Sequence, residues 1–304
     1  GAAIALSAAG APKYWLLVVL AAAIATSFLV ERIIPYDRDW NHDRADTTRD
    51  RIHVAVNETL ILASVAAIPL LAAIVPAPQL WPHSWPFVVQ VLAAILIADL
   101  GITVVHVASH KIGVLWRFHA VHHSITRFYG LNGLMKHPVH QTVEMAAGVA
   151  PLILIGLPVD VASVLALAVA IQLLLQHSNA DYRIGPAKYV LALNEGHRFH
   201  HLKWAGIGDV NFGLFTLVWD HLMRTFSYDP TRRFDSTQLG MAATWDPALI
   251  EQVARVTAAE VAQASGNGSR RPRACRSSST TGVCSSASAT SRSRPSSTAR
   301  SSCA

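Results

Sequence analysis

The sequence predicts an all-α, multi-span transmembrane helix bundle with its histidines gathered on one cytosolic side. Three observations carry that expectation: 52% of the 304 residues are hydrophobic and only 14% charged, several apolar runs approach spanning length, and the histidines cluster near the ends of those runs. The three cysteines, Cys275, Cys284 and Cys303, all fall in the last forty residues, so neither a disulfide framework nor a thiolate metal site belongs to the body of the chain.

About 20 apolar residues are needed to cross the hydrocarbon core. Residues 14–34 meet this until Glu31 and Arg32, and the run is too long, and too poor in preceding basic residues, for a cleavable leader. Residues 59–75 form a second run broken only by Ser64 and Pro69, and residues 87–105 a third with the single charge Asp99. The fourth block, 142–176, is about two short spans long and carries "GLPVD" at 156–160, which predicts a helical hairpin.

Charge sets the orientation. Residues 35–58 contain Arg38, Arg44, Arg49 and Arg51, whereas 76–86 ("PAPQLWPHSWP") has no Lys or Arg and two tryptophans. The positive-inside rule places 35–58 in the cytoplasm and 76–86 on the far side. Alternation then brings His106 and His177 out on the cytoplasmic face, so the localisation expected is integral membrane, multi-pass, with the histidine boxes cytoplasmic.

The domains expected are 1–56 (first span and cytosolic loop), 57–228 (a membrane-embedded catalytic body), 229–264 (a helical extension) and 265–304. The last stretch is rich in Ser and Arg without apolar periodicity, which predicts disorder. It also explains the net charge of +6: it holds seven arginines and no acid, and the other 18 basic residues face 19 acidic ones. The basic balance therefore gives no reason to expect a nucleic-acid partner.

The histidines follow a pattern. His106 and His110 lie four apart, on one helix face. "HAVHH" (His119, His122, His123) recurs in spacing as "HRFHH" (His197, His200, His201). Imidazole suits zinc, copper, nickel and iron alike. A zinc site uses three or four protein ligands, so eight or more clustered histidines point to two ions. With no H-E-x-x-H base and no bridging carboxylate, an oxygen-activating centre fits better than a zinc hydrolase. A metal transporter would place ionisable ligands within the spans, and here only Asp99 lies deep. Neither "GLNG" nor "GIGD" has the strand–turn–helix setting of a dinucleotide site, so reducing power must come from elsewhere.

The stretches "DLGITVVHVASH", "LWRFHAVHHS", "KHPVHQTVE", "QHSNADYRIGP" and "EGHRFHHLKW…DVNFGLFTLVWDHLMRTF", over about residues 95–228, resemble the fatty acid hydroxylase/sterol desaturase superfamily of membrane di-iron enzymes. The resemblance implies a histidine-rich cytosolic helical cap on a membrane bundle, holding two iron ions that use O2 to attack a C–H bond of a sterol or fatty acyl lipid. It implies an external electron donor protein of ferredoxin or cytochrome type, and it leaves hydroxylation, desaturation and ether cleavage open. As metal ligands it implies His106, His110, His119, His122, His123, His137, His177, His197, His200 and His201.

Other residues carry weaker expectations. Asp99 sits two turns below His106 on the same face, where it would hydrogen-bond a ligand imidazole and fix its tautomer. Asp209, Asn211 and Asp220 follow the last box and would orient its imidazoles or cap helices, with Glu144 and Glu195 as further partners. His140 is expected at the surface or behind a ligand. His42, His53 and His83 are expected solvated in loops, and His221 structural.

Overall fold

The computed structural model describes residues 1–74, 80–204 and 207–240. The expected segment 265–304 and most of the 229–264 extension lie outside these. The described part of that extension, 229–240, runs in turns rather than a helix. Among the described residues there is no sheet, only isolated bridges such as Pro35 with Ala180 and Leu191 with Thr216.

A short helix α1 (Ala2–Ala8) precedes α2 (Tyr14–Ile33), α3 (Thr47–Ile74) and α4 (Phe87–Lys111). After α5 (Gly113–His123) come α6 (Pro138–Leu154) and α7 (Val159–Gln176), then two short helices, α8 (Asn194–His200) and α9 (Val218–Met223). Among the described residues, four helices are long and apolar enough to cross a membrane: Tyr14–Ile33, Thr47–Leu70, Phe87–Lys111 and Val159–Gln176. The 142–176 block is a helical hairpin, turning at Gly156 with φ +90°. Its first arm, α6, has 17 residues, about 26 Å at the helical rise, and so falls short of the core thickness.

The main departure is α3, which begins at Thr47 rather than near residue 59. Hydropathy misses its first three turns because their polar residues bind protein instead of water. Asp43 accepts from the Thr47 N–H at 3.2 Å and so caps the start. Asp50 accepts from the Tyr129 hydroxyl at 2.6 Å and from Asn132 Nδ2 at 3.0 Å, and Asn57 donates to the carbonyls of Leu134 and Lys136. The stretch 129–136 is thereby fastened to α3. His53, expected in a loop, lies on this helix with Nδ1 2.9 Å from Lys136 O.

α7 is apolar on every face because it packs against α2, α3 and α4 at once. α4 and α6 approach closely through small residues: a Cβ on Gly101 would overlap the Ala147 carbonyl, and Gly148 opposes Ala98 and Ile102. This contact fixes the axis of α4, whose last two turns carry His106 and His110. Above the spans, Trp40, Ile125, Phe128 and Met135 form a buried cluster, with Trp40 Nε1 donating to Ser236 Oγ at 2.9 Å. Arg127 grips both Asp46 carboxylate oxygens, at 2.8 and 2.6 Å, and closes that cluster on one side.

Candidate metal centre

Nine buried or nearly buried histidines converge in two groups. His106, His110, His119, His123 and His200 form one, and His122, His177, His197 and His201 the other; within each group the ligating atoms lie within 4.8 Å of one another.

Helix geometry explains how adjacent residues reach different groups. One residue turns a helix by about 100°, so residues four apart nearly align while the third residue points well to the side. On α5, His119 and His123 enter the first group and His122 the second. On α8 the assignment is reversed: His197 and His201 enter the second group and His200 the first. The remaining ligand positions come from the last two turns of α4, with His106 and His110, and from His177, the residue that follows α7.

Hydrogen bonds fix which nitrogen faces inward. The Nδ1 atoms of His106 and His200 lie 2.7 and 2.8 Å from the carbonyls of Phe212 and Val210. Those of His177 and His122 lie 3.1 and 3.3 Å from the carbonyls of Leu173 and Met135, and that of His110 lies 2.9 Å from Asp209 Oδ1. These oxygens can only accept, so each Nδ1 carries the proton and each Nε2 keeps a lone pair. Burial pushes the imidazoles of His119, His122, His123, His197, His200 and His201 well below their ordinary basicity, and that of His177 down to about 3. They are neutral and competent to ligate.

The Nε2 atoms of His110, His119 and His123 form a triangle of 3.0–3.1 Å sides. In the other group His177 Nε2 lies 3.1 to 3.3 Å from those of His197, His122 and His201. His106 Nε2 and His200 Nε2 are buried without a hydrogen-bond partner. Imidazole nitrogens about 2.1 Å from an ion and at right angles to each other stand about 3 Å apart. Two transition-metal ions therefore fit these residues, and imidazole alone leaves the element open.

The other expected residues fall elsewhere. His137 is not in either group; it caps α6, its Nδ1 accepting from the Val139 N–H at 3.1 Å, with its ring 4.9 Å from that of Phe118. Pro138 at the first helical position turns it to that task. Asp99 meets no histidine. It accepts from the N–H groups of Leu214, Phe215 and Thr216 at 2.7–3.0 Å and from the Thr216 hydroxyl at 2.8 Å, anchoring to α4 the segment that follows the last box. Asn211, at φ +55°, donates to Gly196 O and Ser227 O and so fastens α8. Asp220 accepts from the N–H groups of Phe212 and Gly213, holding in place the carbonyl that His106 meets. Glu195 accepts from the Tyr228 hydroxyl at 3.3 Å, and His221 Nε2 lies 2.8 Å from Tyr189 O.

His140 takes the second of its two expected places, behind a grouped histidine. It is buried, its Nε2 is 3.1 Å from Ser109 Oγ, and its ring lies 4.4 Å from that of His119. Its Nδ1 is 3.6 Å from Glu144, which also pairs with Lys136 at 2.6 Å. The four-residue spacing of His140 and Glu144 was the available signal. The carbonyl acceptors behind the ligands have no signature at all.

The fatty acid hydroxylase family profile matches residues 91–225, which contain all nine grouped histidines. The chain is 32% identical over 250 residues to the ornithine lipid hydroxylase OlsE of Rhizobium tropici, covering 79% of this chain and 75% of that protein. It is 29% identical over 150 residues to the alkylglycerol monooxygenase of Danio rerio, covering 48% of this chain but only 32% of that protein. The Xenopus tropicalis alkylglycerol monooxygenase is 25% identical over 149 residues, 48% of this chain and 31% of that protein. No solved structure matches the chain at comparable stringency. The extent of the match to the rhizobial hydroxylase, together with the family profile over the histidine-bearing helices, establishes that the chain belongs to the fatty acid hydroxylase family.

Proposed function

We propose that the protein is an O2-dependent di-iron oxygenase of the membrane that hydroxylates an unactivated C–H bond of a polar, acyl-bearing lipid. The carrying observation is the pair of histidine groups, nine inward Nε2 atoms in all, above an apolar cavity between the spans. Ile61, Val65, Ile102, Met145 and Val169 line that cavity, and its polar end is formed by Lys136, Gln141 and Glu144. Leu173, another wall residue, supplies the carbonyl that fixes His177.

Bound iron would supply reduction of O2 and attack on the C–H bond, one oxygen atom going to the lipid and the other to water on two electrons from an external ferredoxin- or cytochrome-like donor. The chain's own residues prepare for this. Asp209 and the carbonyls of Phe212, Val210, Met135 and Leu173 hold the ligand rings in one tautomer. The apolar wall excludes water and orients an alkyl chain. A groove along α2, α3 and α7 shares Ile61, Val65 and Ala166 with the cavity, giving lipid a sideways entrance.

Relatives named as a hydroxylase and as monooxygenases support oxygen insertion over desaturation. The arginines at 38, 44, 49 and 51 support a cytoplasmic position for the histidine face. Two measurements test the reading. Purified protein should carry about two irons per chain. Lipid extracts of cells with and without the gene should differ by one lipid gaining the mass of an oxygen atom. Zinc at one per chain with a hydrolysed lipid ester, or no lipid change at all, would overturn it.

A further inference from the structure

A second cleft lies beside the histidine face and has a different chemistry. Five cations line it, Arg183, Lys188, Arg198, Arg232 and Arg233, against the two carboxylates Asp181 and Glu195. Both carboxylates are already engaged. Asp181 pairs with Arg183 at 3.1 Å and with Arg233 at 3.4 Å, and Glu195 accepts from the Tyr228 hydroxyl.

Arg198 is the telling member. It is 3% exposed, and among the described residues it pairs with no carboxylate. Its Nη2 donates to the carbonyls of Ala180 and Ser178 at 3.0 and 3.4 Å, its Nε has no acceptor, and its guanidinium lies 3.7 Å over the Tyr36 ring. Arg233 lies 4.1 Å from the same ring. A buried guanidinium without a counter-anion is costly to keep. Guanidinium forks match phosphate oxygens, and the close to two negative charges of a phosphate monoester lie within the surplus of three positive charges, five cations less two carboxylates.

The cleft also has a defined depth. Tyr36 lies three residues beyond the end of α2, and Asp181 five beyond the end of α7. Both helices are candidate spans, so the cleft opens where the apolar helices stop, at the level of lipid headgroups. We propose that this cleft binds a phosphate group, presented by an anionic lipid headgroup or by a free phosphate ester. The site stands independently of the oxygenase reading.

The test uses the full chain in a neutral detergent. Thermal unfolding is compared in inorganic phosphate and in chloride at equal ionic strength, and in mixed micelles with phosphatidic acid or with phosphatidylcholine. A rise of about 3 °C or more in phosphate identifies a free phosphate as sufficient, and a rise with phosphatidic acid alone identifies the lipid headgroup. Either supports the site. Arg198→Met probes the buried group, and because it risks the fold, the paired variant Arg183→Ala with Arg233→Ala, both exposed, is the control that must also abolish the rise. Equal unfolding temperatures in every condition, a rise that survives the paired variant, or stabilisation by polyglutamate alone would overturn the proposal.

Discussion

Asp209 and His110 meet at 2.9 Å between carboxylate Oδ1 and imidazole Nδ1, while the opposite nitrogen of the same ring lies 3.1 Å from those of His119 and His123. One side chain thus joins an acidic residue at the rim to the interior of a metal group. The carboxylate fixes the proton on Nδ1 and raises the donor strength of Nε2. Asp209→Ala should weaken metal binding about 10–100-fold while leaving membrane insertion intact. Competition with a chelator of known affinity measures this, and unchanged affinity would deny Asp209 its role.

The two groups should be separable by substitution. His200→Ala removes a ligand from the first and His122→Ala from the second, so each variant should fall from about two metals per chain toward one, with activity reduced at least about 100-fold. His137→Ala should keep both metals and lose only about 1 kcal/mol of stability, the worth of a helix cap. Metal analysis beside thermal unfolding distinguishes the three variants; loss of metal from His137→Ala would make it a ligand after all.

Asp99 should matter through architecture. Asp99→Ala leaves three backbone N–H groups and a hydroxyl without their acceptor, and each such loss costs about 1–3 kcal/mol. We expect the unfolding temperature to drop by at least about 5 °C, with protease cutting the 207–217 segment faster than in the parent. A variant with parental stability but no activity would instead assign Asp99 a part in the chemistry.

Access should depend on Ala166, which borders both the inner cavity and the outer groove. Ala166→Phe adds bulk at that junction. Turnover of a long-chain lipid should fall about tenfold or more, with metal content unchanged. Equal turnover in both proteins would place the lipid's entrance elsewhere.

The parts of this design that were legible in the sequence are those carried by local spacing. Three long apolar runs and a double-length block read directly as helices, and the two "HxxHH" boxes marked their own importance. The division of each box between two groups was hidden, because it depends on how α5 faces α8. The partner of Asp99 lies more than a hundred residues away and consists of backbone N–H groups, which no side-chain pattern announces. Likewise α3 hides its first three turns, since Asp50 and Asn57 look solvated until the 129–136 segment that binds them is in place. Spacing also left His140 between the surface and a place behind a ligand, and it is the packing of α6 against α5 that puts its ring beside that of His119.

The reciprocal splitting of α5 and α8 has a thermodynamic corollary. Each helix lends its odd imidazole to the neighbouring set, so ordering one set already immobilises both helices that the other requires. Entropy spent at the first occupancy is not spent again at the second. In the parent chain the second ion should accordingly bind more tightly than the first, and loading should be sigmoidal.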